Sequence, residues 1–291
     1  MLNTIIQAIV QGLTEFLPIS SSGHLSLVAH FTGHTGESAT LLLVVLHLGT
    51  LVAVFIAFWN TIWALIKEFF IMIKDIFTGK FKWKEMNPER RMIMMLIISC
   101  IPLIFFYIPE LKWSFFSNIG NDKDILIEGF CFLYTAILLF MATRCKSGKK
   151  TAGDIKAKDA VTVGIFQCIA LLPGISRSGS TISAGLFRGL DRETAVKYSF
   201  ILGIPPILAG ALVEIKDAVG EGMANTNILY LIIGFVIAAI VGFLSIKLIE
   251  LLLKSDKFII FSAYTLILGI AVIIIAIIER VNGVSCITQL F

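Results

Sequence analysis

The sequence predicts an all-α polytopic membrane protein: about six transmembrane helices plus two re-entrant helical hairpins, related as an inverted-topology repeat. Three observations predict it. The chain is 57% hydrophobic and only 15% charged, with a mean hydropathy of +0.91, outside the range of soluble domains of 291 residues. Apolar runs of spanning length alternate with short basic loops. Two polar segments, both carrying Gln, Leu-Pro and Ile-Ser-x-Ser-Gly, recur at one fixed offset: Gln11 and Gln167, Ser20 and Ser176, Ser22 and Ser178, Gly23 and Gly179.

Residues 3–17 are apolar but too short to cross a bilayer. Pro18 and the Ser20–Gly23 run break them, and a second short apolar arm continues to about Phe31. Each arm reaches roughly 20 Å at about 1.5 Å per residue, enough for the middle of a ~30 Å hydrocarbon layer. The reading is a re-entrant hairpin. Spans are expected at 41–59, 92–108, 125–143, 198–213, 228–246 and 258–278, the fourth interrupted by Pro205-Pro206. Residues 61–77 set Trp63, Phe69 and Phe70 beside Lys67 and Lys74, as in a cytoplasmic extension or an interfacial helix. Residues 160–187, around Pro173-Gly174, form the second hairpin. The repeats run roughly over 1–145 and 158–280 of a single integral membrane domain.

Nineteen Lys and Arg residues fall on one side of this arrangement and four on the other, with Arg177 left over. The positive-inside rule then puts both termini outside, the first hairpin entering from outside and the second from the cytoplasm. Inverted repeats with broken helices place a site near the membrane midplane, where the tips at Ser20–Gly23 and Ser176–Gly179 would meet. The basic pI of 8.8 reflects loop charge and does not indicate nucleic acid. Five cysteines show no zinc or CxxC spacing. No positive n-region precedes the first apolar arm, so no cleaved signal peptide is expected.

Arg177 is the sharpest signal, because an arginine at membrane depth is costly and marks function by default. Ser176, Ser178, Gly179, Ser180 and Thr181 surround it with hydroxyls and amides at a helix start, an anion cradle, and a guanidinium matches phosphate. The plainer alternative is an Arg177–Glu15 pair that only locks the hairpins together. Glu15, the acidic residue of the first hairpin, can hold a divalent cation or orient a base. Gln11 lies one turn away on the same face and can add an amide oxygen. His24 can act as a general acid or base, with Ser21 three residues before it as nucleophile. Ser20, Ser21 and Ser22 compete for that role, or cap the return helix. His30, His34 and His47 have no companion motif and read as bland. Glu128 reads as an interfacial or packing carboxylate.

The two segments Gln11–His24 and Pro173–Gly179 resemble the signature motifs of the bacterial undecaprenyl-diphosphatase (bacitracin-resistance protein) family, and the length and span pattern fit over essentially the whole chain. The resemblance implies a membrane phosphatase that turns undecaprenyl diphosphate into the monophosphate carrier lipid of cell-wall synthesis. It implies catalytic or phosphate-binding roles for Glu15, Ser21, His24, Arg177, Ser176 and Thr181; the serine runs and the anion cradle add Ser20, Ser22, Ser178 and Gly179 as phosphate-binding candidates. It also implies a divalent cation, magnesium or calcium, for which Glu15 and Gln11 are the candidate ligands. Many members carry Glu where this chain has Gln11, which leaves Glu15 as the main carboxylate. The expected partners are the lipid bilayer, a polyprenyl diphosphate lipid and, as an option, a second copy in a homodimer. The expected place is the bacterial plasma membrane, with the site opening outward. Type-2 phosphatidic acid phosphatases also use Ser-Gly-His and Ser-Arg, but their later His and Asp positions are Ser183 and Phe187 here. The rival class is a transporter or flippase on the same repeat.

Overall fold

The computed structural model describes residues 1–32, 37–106, 125–146, 148–221, 227–254 and 257–282. His34 and Cys286 lie outside these. The described residues form twelve α-helices, two 3-10 turns and one isolated bridge, Lys150 with Leu190. Four helical stretches are long and apolar enough to cross a membrane, five if a bent pair counts as one. The outward faces are apolar: only 22% of the most apolar stretch in Ile228–Leu253 and 33% of that in Ile259–Asn282 is buried within the protein, so lipid must cover the rest.

The first hairpin is α1 (Leu2–Phe16) and α2 (Ser21–Thr32). Pro18 disfavours a helical residue before it, and Leu17 is extended at φ −64°, ψ 139°. α3 (Glu37–Ala57) bends by 87° at Phe58 into α4 (Trp59–Phe77). Along α4, Ile62, Leu65 and Met72 are buried, while Trp59, Trp63, Phe70 and Phe77 are exposed. If α3 crosses the membrane, this bend lays α4 along its surface, as the interfacial reading expects. Arg90, at the start of α5 (Pro88–Phe106), holds Glu68 at 2.7 Å and Asp75 at 2.8 Å, tying α4 down. α5 carries Glu89, Arg90 and Arg91 and is not among the helices apolar enough to span alone, which leaves the expected six spans at five plus α5. α6 is Leu126–Arg144.

The second hairpin is α7 (Ala157–Ile169) and α8 (Arg177–Phe187). Its base is fixed by Asp159, fully buried, which accepts from Lys150 Nζ at 2.9 Å, Arg188 Nε at 2.8 Å and the Lys156 amide at 3.0 Å. α9 (Arg192–Leu202) and α10 (Ile204–Glu221) make the next span. The expected interruption at Pro205-Pro206 falls instead at Gly203. The prolines sit in the first turn of α10, where a missing N–H costs nothing. α11 (Ile228–Lys254) lies along both α1 and α3, α12 (Ile259–Asn282) along α6, and α7 along α5. In the core, Tyr198 is buried and its hydroxyl meets Ser99 Oγ at 2.7 Å, which in turn donates to the Ala160 carbonyl at 2.7 Å. A phenol in an apolar interior needs such a partner. It joins α5, α7 and α9 around the second hairpin.

Candidate active site

The tips of the two hairpins meet. Ser20 Oγ accepts from the Gly23 amide at 3.2 Å, and Ser176 Oγ accepts from the Gly179 amide at 3.0 Å, the same N-cap bond at equivalent positions. Ser20 and Ser22 hydroxyls lie 3.4 Å apart, and Ser176 and Ser178 hydroxyls 3.3 Å apart. The tips then cross-bond: the Gly174 amide donates to Ser22 Oγ at 3.2 Å, and Ser178 Oγ donates to the Leu17 carbonyl at 3.3 Å. Gly174 makes this approach with φ +91°, and a Cβ on it would stand 2.8 Å from Cβ of Cys131. Ser20 holds φ +75°, an uncommon backbone for a residue with a side chain, at a cost on the order of 1–3 kcal/mol.

Glu15, at the end of α1, is the hub of the meeting point. Its side chain is 5% exposed. Oε1 accepts from Arg177 of the opposite hairpin. Oε2 accepts from Gln11 Nε2 at 3.0 Å and from Ser21 Oγ at 2.8 Å. The Arg177 guanidinium lies against Gly203, at the break between α9 and α10, where any side chain would take its place. The Glu15–Arg177 pair of the plainer alternative is therefore present. It also lines a cavity of 410 Å³, together with Ser21, Ser22, Ser176 and His47.

His24 does not line this cavity and does not meet Ser21. Its Nδ1–H donates to the Ser20 carbonyl at 2.6 Å, so Nε2 accepts from the Tyr264 hydroxyl at 2.7 Å. The ring stands edge-on to the buried Phe132. Ser21 opens α2 and points back to Glu15 instead. Ser20, Ser178, Gly179 and Thr181 are spent on building the tips: Thr181 Oγ1 bonds the Arg177 carbonyl at 2.9 Å and meets Ser199 Oγ. Glu128 accepts from Ser26 at 2.7 Å across helices, in line with its packing role. His30 is not bland, because it pairs with the buried Glu279 at 3.0 Å and joins α2 to α12. Two groups escaped the sequence reading. Tyr264 is 240 residues from His24 and carries no motif. His47, read there as bland, has its Nε2 3.9 Å from Glu15 Oε2; its only signal was a polar ring inside an apolar span.

Among the described residues no group of three or more His, Cys, Asp or Glu converges. The available oxygens are the Glu15 carboxylate and Oε1 of Gln11, which is buried without a hydrogen-bond partner. Both Glu15 oxygens are engaged and Gln11 turns its Nε2, not Oε1, toward them; a magnesium ion, which takes one or two carboxylates together with substrate phosphate oxygens, fits only once Arg177 releases Glu15 and the Gln11 amide turns over.

A profile described as Bacitracin resistance protein BacA matches residues 4–271. The chain belongs to this family. It is 39% identical over 272 residues to an undecaprenyl-diphosphatase of Alkaliphilus metalliredigens, covering 93% of this chain and 96% of the relative. It is 40% identical over 283 residues to one of Methanosphaera stadtmanae, covering 96% and 99%. One of Corynebacterium striatum is 40% identical over 276 residues, covering 92% of each chain. Family membership thus extends over both hairpins and the cavity between them.

The cavity gives a direct test of where substrate sits. Gly210 of α10 lines it, and a Cβ there would touch nothing. Gly210→Phe is expected to occupy the space and cut turnover by roughly tenfold or more, and because its Cβ meets no atom within 4 Å the loss of melting temperature should be smaller than at a packed glycine such as Gly129. Activity at the wild-type level would place the substrate elsewhere.

Proposed function

We propose that this protein is a membrane phosphatase that hydrolyses undecaprenyl diphosphate to undecaprenyl phosphate and inorganic phosphate. It thereby recycles the carrier lipid of cell-wall synthesis and supports bacitracin resistance. The observation that carries the reading is the cavity lined by Glu15, Ser21 and Arg177 at the crossing of two hairpins, in a chain similar over nearly its full length to undecaprenyl-diphosphatases.

The two hairpins belong to halves of opposite orientation. In support, α1 packs on α11 of the other half as α7 packs on α5, and the tip bonds repeat at the same offset. With the orientation that loop charge implies, the cavity runs from the tips toward Val44 and Gly210 in the outer half, so the site opens outward. Both termini then face outside.

The lipid tail lies along the apolar helices and the diphosphate enters the cavity. Arg177 leaves Glu15 for the phosphate, a better partner for its fork. Ser176 and Ser22 line the same wall. Glu15 is left facing the Ser21 hydroxyl that already donates to it, and takes its proton as Ser21 Oγ attacks the terminal phosphorus. Undecaprenyl phosphate departs; a water then attacks the phosphoserine, Glu15 returns its proton to the leaving Ser21 Oγ, and inorganic phosphate is released. Gln11 and Glu15 would hold a magnesium or calcium ion, whose charge neutralises the phosphate oxygens. Positioning and electrostatics supply most of such catalysis. His24 clamps the first tip from outside the cavity; before it exchanges a proton, Tyr264 must release its Nε2.

Purified protein is expected to release inorganic phosphate from a polyprenyl diphosphate, and to lose this on chelation of divalent cations. No release, with uptake of the lipid or an anion into vesicles instead, would favour a transporter on the same repeat.

A further inference from the structure

We infer that His47 is a substrate-binding residue of this site, one that holds the terminal phosphate through its Nε2. The inference rests on the phosphatase reading above. His47 sits in the middle of α3, on a third element besides the two hairpins. Its Nδ1–H donates to the Leu43 carbonyl one turn back at 2.8 Å, which fixes the ring and leaves Nε2 as the free edge. That edge lies 3.9 Å from Glu15 Oε2, on the cavity wall, with about a third of the side chain exposed. The separation is too long for a hydrogen bond. The ring is thus pre-oriented by one nitrogen while the other has no protein partner in bonding range. His24, by contrast, has both nitrogens engaged and lies off the cavity lining.

The supply of hydrogen-bond partners favours the same use. Within the cavity Glu15 and Arg177 already hold one another, so an entering diphosphate brings more phosphate oxygens than Arg177 and a cation at Glu15 together engage. A phosphate oxygen at the Nε2 edge completes a three-sided grip from α3, α2 and the second hairpin. One proton between the imidazole nitrogen and the phosphate oxygen suffices for this bond, whichever atom carries it. Binding, not proton transfer, is therefore the function, and an amide at this depth can replace the ring.

The test measures kcat and KM for phosphate release by the full-length protein as wild type, His47→Leu, His47→Ala and His47→Gln. Binding of a non-hydrolysable methylene-diphosphonate lipid is followed by thermal shift on the same samples. The expected result is a KM raised by about 10- to 100-fold in the Leu and Ala variants, the loss that goes with one hydrogen bond to a charged group, with a smaller change in kcat. The analogue's thermal shift shrinks in parallel, and His47→Gln stays within about threefold of wild type. Wild-type KM and analogue binding in His47→Leu or His47→Ala would overturn the inference. So would a Gln variant as impaired as Leu, which would mean that the ring's proton chemistry matters. A wild type that binds the analogue but releases no phosphate defeats the phosphatase reading alone, and analogue binding by the variants still decides the role of His47.

Discussion

Arg177→Ala is expected to lower phosphate release by about three orders of magnitude, the scale set by removing a charged donor aimed at a transferring phosphoryl group. The substitution acts on two links at once. It removes the only Lys or Arg among the described residues that line the cavity at the crossing of the tips. It also strands Glu15, whose side chain is 5% exposed, as a buried carboxylate without its ion partner. Breaking such a pair from one side costs about 3–5 kcal/mol. The single variant should therefore melt earlier as well as turn over slowly. The two effects separate in the double variant Arg177→Ala with Glu15→Gln, where no lone charge remains. Its melting temperature should recover toward wild type while its activity does not. Recovery of both would mean that the Arg177–Glu15 pair only locks the hairpins together.

Glu15→Gln should cost about two to four orders of magnitude in kcat, the range for losing a positioned proton acceptor. The amide keeps the shape of the carboxyl and can still accept from Ser21 at the observed 2.8 Å, but it cannot take that proton. It also weakens the oxygen pair, with Gln11, that would hold the cation. The stability cost should be smaller than for Arg177→Ala, because the Arg177 side chain left behind is 22% exposed and reaches the cavity. Steady-state kinetics separates these outcomes: a fall in kcat supports proton transfer, and a rise in KM alone would leave Glu15 as a binding group.

The parts of this site that were legible in the sequence are those encoded locally. Pro18 and Pro173-Gly174 break helices, and the Ser-x-Ser-Gly runs cap the helices that restart. Because both runs carry the same cap, the offset between Ser20 and Ser176 announced two equivalent tips. The complementary Glu15 and Arg177 announced that the tips meet. What was not legible depends on rotation about helix axes and on partners far along the chain. Ser21 and His24, three residues apart, look like a nucleophile and base. As the first residue of α2, however, Ser21 faces back to α1, while His24 turns to Tyr264 on α12. His47 lacked any motif because its relation to Glu15 exists only once α3 packs beside α1. The bend at Phe58 and the break at Gly203 are likewise tertiary. The first sets α4 nearly perpendicular to α3, and the second makes room for a guanidinium that comes from another helix.

Release of inorganic phosphate from a polyprenyl diphosphate by the purified protein, wild type beside Arg177→Ala/Glu15→Gln, decides whether the crossing of the hairpins is the catalytic site. Wild type is expected to show cation-dependent release, and the folded double variant a loss of at least about a thousandfold. Equal release by the two proteins would move the chemistry elsewhere, because phosphoryl transfer would then proceed without either half of the site the hairpins bring together.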